Sequence, residues 1–136
     1  MTGPLRVQIS SDVDVVRARQ AGREMAAGLG FSGGDQTVIA AAISEIARNI
    51  LMYARQGEMV FTHIHDTTRD GMLVVAEDHG LGIRDVARAL QDGYSTPGGL
   101  GLGLPGARRV VDDFEVVSEV DKGTRVTMKK WKRANG

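Results

Sequence analysis

Cysteine is absent from the 136 residues. Disulfide frameworks, thiolate nucleophiles and cysteine-based metal sites are thereby excluded. An excess of one charge sign is also lacking: Lys plus Arg and Asp plus Glu both number 17, for a formal net charge of zero. Nucleic-acid binders usually show a basic excess or stripe. Here only Lys129-Lys130-Trp131-Lys132-Arg133 is basic, and a short basic end is read as a solvated terminus. Apolar runs are broken every few residues by Arg, Glu, Asp or Gly, so no stretch is expected to span a bilayer. The N-terminus has no apolar signal-peptide core, and a reducing cytoplasm is the natural setting. Repeats, linkers and low-complexity blocks are missing too. The expectation is one domain over 1–136, large enough to bury a core, with 132–136 as a frayed tail.

Leu5, Val7 and Ile9 alternate with polar residues and predict a short strand. Ser11 is placed to cap a helix, with Asp12 and Asp14 in its first turn and Gly28-Leu29-Gly30 as its stop. Ser32-Gly33-Gly34-Asp35 opens a second helix. There Ile39, Ile43, Ile46, Ile50 and Tyr53 recur at spacings of four, three, four and three. Glu58–His65 and Met72–Glu77 predict two strands, with Asp70-Gly71 as a turn pair between them. Asp85–Gln91 predicts a short helix, Gly93–Gly103 a glycine-rich loop, and Leu104–Asp112 a helix with Pro105 in its first turn. Phe114 to Val120, the turn Asp121-Lys122-Gly123 and Thr124–Trp131 form a closing hairpin. Hairpins require antiparallel pairing. The expected fold is therefore α+β, a two-layer sandwich of a mixed, largely antiparallel sheet with helices on one face.

Four constellations bear on chemistry. Glu45 and Asn49, four residues apart, share one helix face at the edge of the apolar stripe, while Arg48 points away from it. A carboxylate and an amide oxygen suit Mg²⁺, which takes hard oxygen ligands and phosphates; a solvated helix flank is the plain alternative. Asp78, at a strand end before Gly80 and Gly82, can accept a hydrogen bond from an exocyclic amine such as that of adenine. Its glycines would let a flat ring approach the backbone, or they simply make a turn. Gly98-Gly99-Leu100-Gly101-Leu102-Gly103-Leu104-Pro105-Gly106 offers backbone N–H groups and a helix start to an anion, or is a loop without a ligand. Its Gly101-x-Gly103-x-x-Gly106 matches a dinucleotide fingerprint formally. No buried strand precedes it, and Asp121 at the acidic position belongs to a hairpin turn. The fourth, Lys122-Gly123-Thr124, taken alone is an ordinary turn. His63 and His65 on one strand could bind a metal but fit a polar strand edge better. No serine sits in a nucleophile elbow.

The order of these blocks resembles the N-box, G1, G2 and G3 motifs of the GHKL (Bergerat-fold) ATP-binding superfamily. They are Glu45-x-x-x-Asn49, Asp78-x-Gly80-x-Gly82, Gly99-Leu100-Gly101-Leu102-Gly103-Leu104 and Gly123-Thr124. Ala40 to Asn49 and Asp92 to Gly101 are most similar to the small anti-sigma-factor-type serine/threonine kinases, in particular the stressosome switch kinases. The resemblance implies ATP and Mg²⁺ as cofactors, Glu45 as the catalytic base and Asn49 as the metal ligand. It implies adenine and phosphate binding by Asp78, Gly80, Gly82, Gly99, Gly101, Gly103, Leu104 and Thr124, with Gly93–Gly99 as a lid over ATP. The implied partners are a STAS-domain antagonist bearing the substrate serine and a phosphatase of a sigma-regulatory cascade; a homodimer is allowed. An anti-sigma factor with kinase activity shares these motifs. A non-catalytic ATP-gated module is the third reading, against which Glu45 argues. A histidine kinase is not expected, since no phosphoacceptor helix pair remains.

Overall fold

The computed structural model describes residues 3–80, 82 and 103–132. In chain order these form β1 (Leu5–Ile9), α1 (Asp12–Gly28), α2 (Gly33–Ala54), β2 (Gly57–His65), β3 (Asp70–Asp78), α3 (Gly103–Val110), β4 (Asp113–Glu119) and β5 (Gly123–Trp131). The strands make one sheet in the order β1-β2-β3-β5-β4, and every neighbouring pair is antiparallel. The expected Asp85–Gln91 helix, and the loop from Gly93 with Gly99 and Gly101, lie outside the described residues.

Strand alternation explains the two layers. Ile9, Met59, Phe61, Met72, Val74, Ala76, Val126 and Met128 point to one side and are buried. Against them pack Val15, Ala18 and Ala26 of α1, the isoleucine stripe of α2, and Leu104 and Ala107 of α3. Ile43 and Phe61 are fully buried, each contributing roughly 1.5–3 kcal/mol of transfer free energy. Between them on the opposite face lie Val60, Val75 and Thr127, only half-buried.

α2 is the axis of the helical layer. The Ser32 hydroxyl caps it by accepting from the Asp35 amide at 3.1 Å, as the sequence predicts. By length and composition α2 matches a membrane span, contrary to the expectation that no stretch would. Its apolar residues are spent instead on α1, α3 and the sheet, which makes it a core helix. Ser11 stands at the N-cap of α1, but its side chain caps no amide. Asp14 takes over the junction, accepting from the Ser10 amide at 2.9 Å and from the Ser10 hydroxyl at 3.0 Å.

The Asp70-Gly71 turn is not formed; both residues belong to β3. The reversal comes earlier, because the Asp66 carboxylate accepts the amides of Thr68 at 3.1 Å and Arg69 at 2.9 Å, closing the turn with its own side chain. At the far end of the chain Lys132 is still tied down, its amide donating to the Asp70 carbonyl at 2.8 Å.

Candidate functional site

Asp78 is the last residue of β3, opposite Thr124 in the β3–β5 register. Its side chain is 4% exposed. The Gly80 amide donates to its Oδ1 at 3.0 Å and the Thr124 amide at 3.2 Å. Oδ2 has no hydrogen bond among the described residues. Burial pushes the Asp78 carboxyl above the ordinary carboxylate range, while the Gly80 and Thr124 amides pull it back down. The backbone thus holds this carboxylate at one oxygen.

The glycines around Asp78 serve packing. A Cβ on Gly80 would run into Ala54 at the end of α2, and one on Gly123 would strike the Asp78 carbonyl oxygen. Gly123 also has φ +122, a conformation rarely open to other residues. Gly82 is buried against the backbone of Glu119 and Val120. Whereas the sequence suggested glycines cleared for a flat ring, the observed close neighbours are protein backbone and α2. These contacts bring the strand end, the β4–β5 turn and the C-terminal turn of α2 together.

α2 then leads away from Asp78. Tyr53 and Ala54 touch Gly80. Asn49 lies one helical turn earlier and Glu45 two turns earlier, about 6 and 12 Å along the axis. Both are 2% exposed, so they belong to the buried flank of the helix rather than its solvated edge. Asn49 Oδ1 is buried with no hydrogen-bond partner among the described residues. An orphaned amide oxygen is costly unless something else satisfies it, and a hard cation is a suitable partner. Glu45 pairs with Arg48, whose Nη1 stands 3.1 Å from Oε1. Arg48 therefore does not simply point away, as the helical wheel suggested; its side chain folds back over the flank.

α3 packs along α2 and begins at Gly103, with Leu104 and Pro105 buried behind it. Of the phosphate-loop candidates, Gly103 and Leu104 are therefore placed at a helix start. Thr124 is buried, and its Oγ1 lies 2.8 Å from the Ser118 hydroxyl across the β4–β5 pair. Sequence reasoning missed Ser118 and Arg48. Ser118 shows no signal other than its register opposite Thr124; Arg48 was legible as a residue three after Glu45. A cavity of about 380 Å³ opens at the same strand end, lined by Gln56, Glu58, Glu77, Asp78 and His79 among others. His63 and His65 lie elsewhere, both bonded to Asp70 at the opposite end of the sheet. No group of metal-binding character is formed there among the described residues.

The histidine kinase-like ATPase domain family matches residues 9–130. The serine/threonine-protein kinase RsbT of Bacillus subtilis (strain 168) is 45% identical over 127 residues, covering 93% of this chain and 96% of that protein. An anti-sigma F factor of Clostridium kluyveri is 30% identical over 98 residues, 69% of each chain. Among solved structures, the mycobacterial sensor histidine kinase MprB aligns over 98% of this chain and 99% of its own, with a TM-score of 0.57 at 17% identity, a likeness of fold. With its motifs in order and these matches along nearly its whole length, the chain belongs to the histidine kinase-like (GHKL) ATPase family, in its branch of small serine/threonine-protein kinases.

Proposed function

We propose that this protein uses Mg-ATP to phosphorylate a serine on a STAS-domain antagonist, and then exchanges that partner for a phosphatase in a pathway that regulates a sigma factor. The reading is supported by the similarity to RsbT along 93% of the chain. The observation that carries the chemistry is the pair of buried polar side chains on α2, Glu45 and Asn49, the latter's Oδ1 without a hydrogen bond among the described residues. A cytoplasmic setting follows from the need for ATP, and residues 1–136 are proposed to act as one kinase domain.

The residues divide the work along α2. Asp78 accepts the adenine amine through the oxygen its backbone cradle leaves over, and Thr124 completes the polar wall. Asn49 would hold Mg²⁺, which neutralises phosphate charge when bound. Gly99, Gly101, Gly103 and Leu104 would present backbone amides to the phosphates; the first two lie outside the described residues. Glu45 takes the proton from the serine hydroxyl. The serine oxygen then bonds to the γ-phosphorus, the bond to the β-phosphate oxygen breaks, and ADP leaves with its electron pair.

The test is direct. Each STAS-domain protein of the source cell is purified and incubated with this chain and γ-labelled Mg-ATP, and phosphoserine is mapped. Transfer to one STAS serine is expected, with Asn49→Ala losing the Mg²⁺-dependent part of ATP binding in calorimetry. No transfer to any of them would overturn the substrate assignment. The second reading, an anti-sigma factor that holds a sigma factor, is favoured by the 30% identity to the clostridial protein, though over only 69% of the chain. It predicts tight binding to a sigma factor and none to a phosphatase domain.

A further inference from the structure

Arg48 reaches the Glu45 carboxylate, and the motif assigns it nothing. Its Nη1 donates to Glu45 Oε1 at 3.1 Å. The two partners are unlike: the Glu45 side chain is 2% exposed, that of Arg48 27%. On an exposed helix surface, an i,i+3 pair of this kind is a minor ornament. Here it fixes an acid that the core has already enclosed. The apolar stripe of α2 holds the helix in place without Arg48, so the guanidinium is not needed for packing.

The chemistry says what such a contact is for. A carboxylate that accepts a proton in the transition state acts only from a defined orientation. Glutamate has three rotatable side-chain bonds, and the backbone of α2 fixes none of them. An arginine at i+3 engages one carboxylate oxygen through a rigid planar group and thereby sets the plane of the other. We propose that Arg48 is a positioning residue for phosphoryl transfer, acting through Glu45 and touching neither ATP nor the serine itself. The inference rests on Glu45 being the base.

The experiment measures transfer from γ-labelled Mg-ATP to the unphosphorylated STAS-domain acceptor for wild type, Arg48→Ala, Arg48→Lys, Glu45→Ala and the Glu45→Ala/Arg48→Ala double variant. ATP affinity by calorimetry and the thermal midpoint are recorded for each. Arg48→Ala should lower kcat about 10- to 100-fold, the usual size for a misplaced catalytic group. KM and Kd for ATP should stay within about two-fold. Arg48→Lys should recover most of the loss, because an ammonium can still reach Oε1 but without the planar fork. In the Glu45→Ala background, removing Arg48 should cost less than about two-fold, as expected of residues acting as one unit. Full kcat in Arg48→Ala, with Glu45→Ala inactive, overturns the inference and leaves the base assignment standing. So does a loss that adds in full to that of Glu45→Ala, or one matched by an equal loss of ATP affinity. Wild-type transfer by Glu45→Ala instead removes the base assignment, and the inference with it. If Arg48→Ala does not fold, Arg48→Met, which keeps the apolar stem, takes its place.

Discussion

The strand β3 begins and ends on an aspartate, and the two are opposites. Asp70 is 42% exposed, and one of its oxygens is shared by His63 Nε2 at 2.8 Å and His65 Nδ1 at 3.0 Å. The hydrogen bonds to His63 and His65 hold its carboxyl below the ordinary range. Asp78 is buried, meets backbone amides at a single oxygen, and is pushed up by its burial. Seven residues of one strand separate a carboxylate satisfied by side chains from one held by backbone amides. The first arrangement closes a sheet end; the second is the one proposed to receive adenine. The same contrast extends to α2, which carries the buried polar groups Glu45 and Asn49 two turns and one turn before the residues beside Gly80.

The largest break in this contrast comes from Glu45→Ala. If the buried polar end is the working end, transfer to the STAS acceptor should fall by about 10²- to 10⁴-fold, the range for a positioned base. ATP binding should persist, since Glu45 lies about two turns from the residues that touch Gly80. Rapid-quench transfer assays beside calorimetry check both halves. An unchanged rate would make Glu45 a buried ion-pair partner of Arg48 and nothing more.

Next in size is Asp78→Asn. The substituted amide can keep the oxygen that accepts from Gly80 and Thr124. It then turns an NH₂ group towards the adenine amine, so a donor meets a donor. Losing a charge-assisted hydrogen bond costs about 1.5–3 kcal/mol, which corresponds to roughly 10- to 100-fold in Kd. Calorimetry with ATP and with GTP is the measurement. Equal affinity of the wild type for both nucleotides would count against Asp78 as the adenine reader.

The candidate residues stood out in the sequence because they sit at a strand end or on a regular helical period. Asp78 follows an alternating strand, and Glu45 and Asn49 lie four apart on the strongest helical period of the chain. The sheet and its hairpins followed from alternation, though the pairing order β3-β5-β4 needed the structure, since no local pattern states which strand lies beside which. The depth of Glu45 and Asn49 was underestimated, because a wheel shows one helix and not the elements that pack on it. Asp70-Gly71 misled for a related reason. A turn dipeptide is only a local preference, and Asp66 offered the backbone a better closure four residues earlier. Gly80 and Gly123, singled out in the sequence for a ligand, have protein as their close neighbours.

The raised pKa of Asp78 gives a smaller, graded effect with two opposite signs. Between its ordinary and its raised value, the folded protein binds this proton more readily than the unfolded chain. Its contribution to the stability of the free protein therefore rises as pH falls through that window, and declines as pH rises. Adenine binding runs the other way, because the amine needs the carboxylate anion. Acidification through the raised pKa should thus weaken ATP while slightly favouring the empty fold. Both slopes should vanish in Asp78→Asn, so the difference between the two proteins across a pH series isolates the group from the titration of ATP itself. Parallel slopes in wild type and variant would show that Asp78 stays charged throughout.

The smallest expected effect belongs to Asp70→Asn, and it is the control that gives the contrast its meaning. Asp70 is exposed, and exposed pairs contribute little to stability. Its depressed pKa means that what it does contribute is present above the ordinary carboxylate value and lost as pH falls through the depressed one. The variant should therefore lose a shallow acid limb from its stability profile and shift its midpoint at neutral pH by no more than about 2 °C. An asparagine can still accept from one histidine, so the β2–β3 pairing should hold. ATP affinity should stay within about two-fold, because Asp70 and Asp78 stand at opposite ends of a nine-residue strand, some 26 Å apart at 3.3 Å per residue. Denaturation at several pH values and one ATP titration test all three statements. A loss of ATP affinity approaching that of Asp78→Asn would mean that β3 transmits a change at its histidine-bound end to its receptor end, and the two aspartates would then be parts of one coupled device.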